Sequence, residues 1–79
     1  MTWGPFLPGL DRLEVKARLR CLRLAVKLLT GPRGEACRYA LLLAEIDPDE
    51  DTLAAASAAF EKLPALDQRR ILSSYAEVA

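Results

Sequence analysis

Apolar residues recur along this chain at intervals of three and four and nowhere alternate regularly with polar ones, a pattern that predicts helices and no strands. The first helix is predicted over residues 11–30, "DRLEVKARLRCLRLAVKLLT". Asp11 with Glu14 three residues on resembles a capping box, and Gly31 and Pro32 stop the helix. "GPRG" connects it to a second helix over 33–46. Asp47 then suits an N-cap, Pro48 the first helical position and Glu50 the third, which predicts a third helix over 48–63. Leu63-Pro64 ends it, because a residue before proline avoids helical dihedrals. A fourth helix is predicted over 65–77. Residues 1–9, punctuated by Gly4, Pro5, Pro8 and Gly9, predict an extended arm. The expected fold is all-α, one domain over 1–79: a small four-helix bundle-like domain, three longer helices plus a shorter one, with an extended N-terminal arm.

At about 100° of rotation per residue the helices acquire faces. The third presents Leu53, Ala56, Phe60 and Leu63 as a narrow seam among alanines. The fourth presents Ile71, Leu72, Tyr75 and Val78 for burial, with Arg69, Arg70, Ser73 and Glu77 toward water. On the second, Tyr39, Leu41, Leu42, Leu43 and Ile46 cover a wide arc and leave Glu35, Arg38 and Glu45 outside. The arm carries Trp3, Phe6 and Leu7, three apolar groups that fold back onto a core or anchor another protein.

The first helix is the unusual one. Arg12, Lys16, Arg20, Arg23 and Lys27 share one arc of about 80°, and Arg18 lies away from them at an ion-pair spacing from Glu14. About 240° of its circumference is apolar: Leu13, Ala17, Leu24 and Leu28 on one flank, and Val15, Leu19, Leu22, Val26 and Leu29 on the other. Such a helix is expected to be central, the most buried of the four and packed on two sides. Its apolar girth exceeds what three short neighbours cover, which predicts a homodimer. The cationic strip is either a solvated edge, paired with acids of the third helix, or the docking site of an acidic partner.

Composition narrows the partner. Of the 79 residues 52% are apolar, ample for a chain that buries only about 60% of its unfolded surface. The formal net charge is zero, which argues against a general nucleic-acid binder. Yet residues 1–40 hold eight basic side chains against three acidic, and residues 41–79 hold three against eight. The acidic half would repel phosphate, and the strip lacks interleaved aromatics for base stacking. A protein partner with an acidic surface is therefore favoured over nucleic acid. No run approaches a membrane span, and "MTWGPFLPGL" lacks the basic start and apolar core of a signal peptide. The two cysteines, Cys21 and Cys37, form no disulfide framework and suit a reducing, cytoplasmic setting. The Ala, Arg, Leu, Gly and Pro bias suits a high-GC bacterial or phage genome.

Little chemistry is encoded. With no histidine, the commonest general base is missing, so no enzyme is expected. Asp47, Asp49 and Asp51 have the one-three-five spacing of a calcium loop. Thr52 stands where its glycine should be and Ala58 where its bidentate glutamate should be, so helix capping explains the cluster and no metal is predicted. "GPRG" is not a phosphate loop, and no cofactor is implied. The segment "AAFEKLPALDQRRILSSYAEVA" resembles the helix–Leu-Pro–helix part of the promoter-binding region of bacterial sigma factors, through Leu63, Pro64, Ile71, Leu72 and Tyr75. The resemblance stops short of a recognition helix and sets Arg69 and Arg70 one residue out, so it implies no DNA reading by that route. The function expected is a small non-enzymatic interaction module, a regulator, adaptor or inhibitor. It would act through the strip of Arg12, Lys16, Arg20, Arg23 and Lys27 and the aromatic arm of Trp3 and Phe6. The alternatives are a nucleic-acid-binding accessory protein using the same strip, and a structural subunit of a larger assembly.

Overall fold

The computed structural model describes residues 3–78, with side chains through residue 76. The expectations for the side chains of Glu77 and Val78 lie outside the described residues. The fold is all-α, and no strand occurs among the described residues. Four helices follow in order: α1 Arg12–Thr30, α2 Glu35–Ile46, α3 Glu50–Glu61 and α4 Ala65–Val78. Two short 3-10 turns, Gly4–Phe6 and Gly31–Gly34, shape the arm and the first connection.

Local chemistry sets these boundaries. Asp11 caps α1, its carboxylate accepting from Glu14 N–H at 2.8 Å. The box is not closed by Glu14, whose side chain instead accepts from Arg18 Nε at 2.8 Å. Pro32, expected to open the second helix, opens the 3-10 turn, and α2 starts at Glu35. The cap of α3 is Asp49 rather than Asp47, so the helix begins at Glu50, two residues later than the sequence suggests. Thr52 decides the matter. Its backbone N–H donates to Asp49 Oδ1 at 2.8 Å while its hydroxyl accepts from Asp49 N–H at 3.0 Å, a reciprocal box that caps two donors at once.

α1 runs antiparallel to α2, and its end meets the start of α4. Arg12 at the start of α1 meets Asp47 just past the end of α2, at 3.3 Å. Arg33, just past α1, holds Asp67 at the start of α4 through two hydrogen bonds of 3.2 and 3.0 Å. The core between the helices is built on Leu19, Leu22, Val26, Leu41, Phe60 and Ile71, all fully buried. The α3 seam behaves as expected, with Ala56, Phe60 and Leu63 buried and Leu53 partly so.

Gly34 joins α1 to α2 at closest approach. A β-carbon there would overlap Thr30 Oγ1 and stand 2.8 Å from Val26 Cγ1. Thr30 cannot swing away freely, because its hydroxyl donates to Val26 O at 2.7 Å inside the core.

The arm packs against α1, α3 and α4. Trp3 packs edge-on against Phe6 and Tyr75, with ring centroids 5.4 and 5.9 Å apart, and tilted over Phe60 at 5.3 Å. Arg18 Nη1 donates to Gly4 O at 3.2 Å and ties the arm to α1. Gly4 has φ +51°, and the Tyr75 ring lies within 3.2 Å of where its β-carbon would be, so a side chain fits there in neither respect.

Candidate interaction face

The five predicted cations do line one edge of α1, between α1 and α2, but they differ in employment. Arg20 Nε donates to Glu45 Oε1 at 2.9 Å and Arg23 Nε to Glu45 Oε2 at 3.1 Å. Arg12 pairs with Asp47 in the open. Lys16 and Lys27 have no ion-pair partner among the described residues. The strip is therefore partly neutralised, by acids of α2 and the α2–α3 connection rather than of the third helix. Glu45, expected outside, is buried, its side chain only 10% exposed. Two guanidinium groups give its carboxylate the ion pairs and hydrogen bonds that make burial tolerable.

The wide apolar girth of α1 resolves into two unlike flanks. Val15, Leu19, Leu22 and Val26 enter the core, and Leu29 is partly buried against it. The opposite flank stays in water: Leu13 is 80% exposed and Leu28 82%, with Ala17 and Leu24 exposed between them. Packing on two sides, expected for this helix, holds toward α2 and α4 but leaves this ridge uncovered. On α2 the apolar arc is turned outward in the same way. Cys37, Leu41, Ala44 and Glu45 face inward. Tyr39, Leu42, Leu43 and Ile46 stand exposed at the i, i+3, i+4, i+7 spacing of a helix-docking surface, Tyr39 at 62% and Ile46 at 61%.

Around α1 the arc of cations directly adjoins the Leu13–Leu28 ridge, and α2 packs on its other border through Glu45. The unpaired Lys16 and Lys27 thus lie between two exposed apolar rows. The sequence signal for the α1 row was its excess girth. For the α2 row it was an apolar set too wide for one core face.

Trp3 and Phe6 are placed elsewhere. They lie with Phe60 and Tyr75 on the side of α1 that carries Arg18, half-buried against the core; Trp3 stays there, while Phe6 also lines a recess with one of the cations, Arg12. Leu72, expected in the core, is partly exposed on α4, while Ile71 and Tyr75 are buried as the pattern indicates.

The Cys37 thiol offers little reactivity. Burial pushes the Cys37 thiol up to about 11, so it stays protonated, and Cys21 is half-buried and free. Among the described residues, no group of three or more His, Cys, Asp or Glu side chains gathers as metal ligands would. Asp47 and Asp49, from the calcium-like spacing, are occupied by Arg12 and by the α3 cap.

Comparisons with protein families, with curated proteins and with solved structures find no match to this chain. No helix among the described residues is long and apolar enough to cross a membrane.

Proposed function

We propose that the chain is a non-enzymatic protein–protein interaction module, a regulator, adaptor or inhibitor, whose α1–α2 face receives an amphipathic helix of an acidic protein partner. The observation that carries this is the exposed pair of apolar rows, Leu13–Leu24–Leu28 and Tyr39–Leu42–Ile46, with the unpaired Lys16 and Lys27 between them. A contiguous apolar surface left in water at helical spacing is costly for a small domain and is the usual mark of a docking site. The cations select the sign of the occupant.

A second copy of the chain fits this face less well. A two-fold pairing sets each surface patch against itself. The cationic strip would then lie against a patch of the same sign, so the homodimer is the secondary reading. Nucleic acid fits less well again, since phosphate contacts would leave Leu24, Leu28 and Ile46 in water. A cytoplasmic setting belongs to the same proposal and is supported by two free thiols.

The test places a photo-cross-linking residue at Leu24, at Tyr39 and, as a control, at exposed Ser73 on α4. The partner is then identified by mass spectrometry and rebound as a purified protein. Cross-links from Leu24 and Tyr39 but not Ser73 are expected, with binding weakened about tenfold or more when Lys16 and Lys27 are both changed to Glu. These two lysines are the clean choice, because reversing Arg20 or Arg23 would also strand Glu45. Binding that survives the double reversal overturns the reading. Light scattering that shows a dimer lost on Leu24→Glu would instead establish the homodimer. Retention on DNA that falls steeply with salt would establish the nucleic-acid reading.

A further inference from the structure

The end of α1, the Gly31–Gly34 turn and the first turns of α2 enclose an open recess of about 780 Å³. Four cationic side chains from all three elements line it: Arg23, Lys27, Arg33 and Arg38. Its apolar wall is formed by Tyr39 and Leu42. We infer that this recess is a binding site for a phosphate monoester, the phosphate held by Lys27, Arg23 and Arg38 and its organic part lying on Tyr39 and Leu42.

Charge supports a dianion. The carboxylates near these cations are Glu45, shared by Arg20 and Arg23, Asp67 on Arg33, and Glu35 in the lining itself. Counted with Arg20, five cations face three carboxylates, a surplus of two. A phosphate monoester carries about −1.5 to −2 at neutral pH and matches that surplus, where one carboxylate would leave it half met.

The donors are also free to serve it. Arg38 Nε is buried without a hydrogen-bond partner among the described residues, and no hydrogen bond engages the terminal nitrogens, which are the ones left to reach a ligand. Arg23 uses only its Nε on Glu45, which leaves its terminal nitrogens available. Lys27 has no ion-pair partner among the described residues. The N-terminus of the 12-residue α2 opens nearby, and its cap, Gly34, supplies no side-chain acceptor for the first-turn amides. Both the positive helix end and the unpaired guanidinium favour an anion with several acceptor oxygens. Tyr39 and Leu42 beside the cations offer an organic group a surface that a bare ion would leave in water, which is the reason for assigning an ester.

The recess shares Lys27, Tyr39 and Leu42 with the proposed docking face but not Leu13, Lys16, Leu24 or Leu28; because its test uses small phosphate probes and no protein partner, its outcome does not depend on whether that face docks a helix. The experiment is an NMR titration of the isolated chain at moderate salt, following the backbone amides of Gly34, Glu35 and Ala36 and the Arg38 Nε–H. The probes are a short phosphoserine peptide, the same peptide with Ser and with Glu in place of phosphoserine, and glycerol 2-phosphate. Saturable shifts at those groups are expected with phosphate esters, with binding reduced about tenfold or more for the Ser and Glu peptides. Preference for the phosphopeptide assigns a phosphorylated protein as source; equal or tighter binding of glycerol 2-phosphate assigns a small metabolite. Lys27→Gln, at an exposed position where folding is not at stake, should weaken binding about tenfold, while Lys62→Gln at the end of α3 should leave it unchanged. Equal binding of the Glu peptide, equal effects of the two lysine changes, or no saturable shift each overturn the inference.

Discussion

Arg23 and Glu45 join α1 to α2: the Arg23 Nε donates to Glu45 Oε2 at 3.1 Å, from a side chain only 26% exposed to one only 10% exposed. The other carboxylate oxygen takes Arg20 at 2.9 Å, from a side chain 66% exposed. One buried acid thus clamps two successive turns of α1 to the end of α2.

Removing the acid should therefore be worse than removing either base alone at the surface. Glu45→Ala strands Arg23 and is expected to lower stability by about 2 kcal/mol, since hydrogen bonds to charged groups are worth more than neutral ones. Arg20→Ala, in solvent, is expected to cost under about 1 kcal/mol. Urea unfolding followed by circular dichroism gives both values. Equal losses for the two variants would show that Glu45 is not acting as a clamp.

That clamp also marks where the sequence stops being informative. The alignment of Arg12, Lys16, Arg20, Arg23 and Lys27 was legible because they share one helix, whose rotation per residue is fixed. Their partner was not, because Glu45 lies 22 and 25 residues from the arginines that hold it. On its own helix it looks like one more polar residue on the outside. Helix order and most ends were legible because caps and breakers act locally: Asp11 and Gly31-Pro32 stand at the observed boundaries, whereas α3 stops at Glu61, two residues before the expected end, and Leu63-Pro64 falls in the connection to α4. The α3 start misled because Asp47 and Asp49 can both cap, and only the reciprocal reach of Thr52 selects the second. Which side of α2 enters the core was hidden for a different reason. Apolar residues surround most of that helix, so periodicity gives an arc and no direction.

Gly34 illustrates a constraint that a plain connector does not suggest. Gly34→Ala is expected to destabilise by about 1–3 kcal/mol, the usual range for overpacking a filled core. The loss should shrink in a Thr30→Ala background, where Oγ1 is no longer in the way. Additive losses in that double mutant would place the strain elsewhere.

Cys37 predicts a pH dependence. Its thiol titrates ordinarily near 9.0 and in the folded chain near 11, because burial disfavours the thiolate. The folded value is the higher one, so this stabilising contribution is complete below about 9. It is lost progressively as pH rises toward about 11, where the unfolded chain ionises and the folded one resists. Cys37→Ser or Cys37→Ala should flatten the decline in unfolding free energy across that window. At pH 8 a thiol reagent should label Cys37 only through opening of the fold, at a rate that increases with added urea. Rapid labelling without denaturant would contradict its burial.

Trp3 is the chain's only tryptophan, which makes the arm's attachment directly measurable. Its contacts with Phe6, Phe60 and Tyr75 join residues far apart in sequence, and Arg18 anchors Gly4 beside them. If the arm is part of the core, Trp3 fluorescence and helical circular dichroism should report one coincident unfolding transition. Trp3→Ala should lower stability by about 2–3 kcal/mol, less than for a fully buried tryptophan because the ring is only partly covered. The neighbouring Tyr75 hydroxyl is buried with no hydrogen-bond partner among the described residues. Tyr75→Phe keeps the ring against Trp3 while removing that unsatisfied group, so it should leave stability unchanged or raise it by up to about 1 kcal/mol. A fluorescence transition at lower urea than the helical one would mean that the arm detaches before the helices unfold. Trp3 and Phe6 would then be free to engage a partner without the loss of the core beneath them.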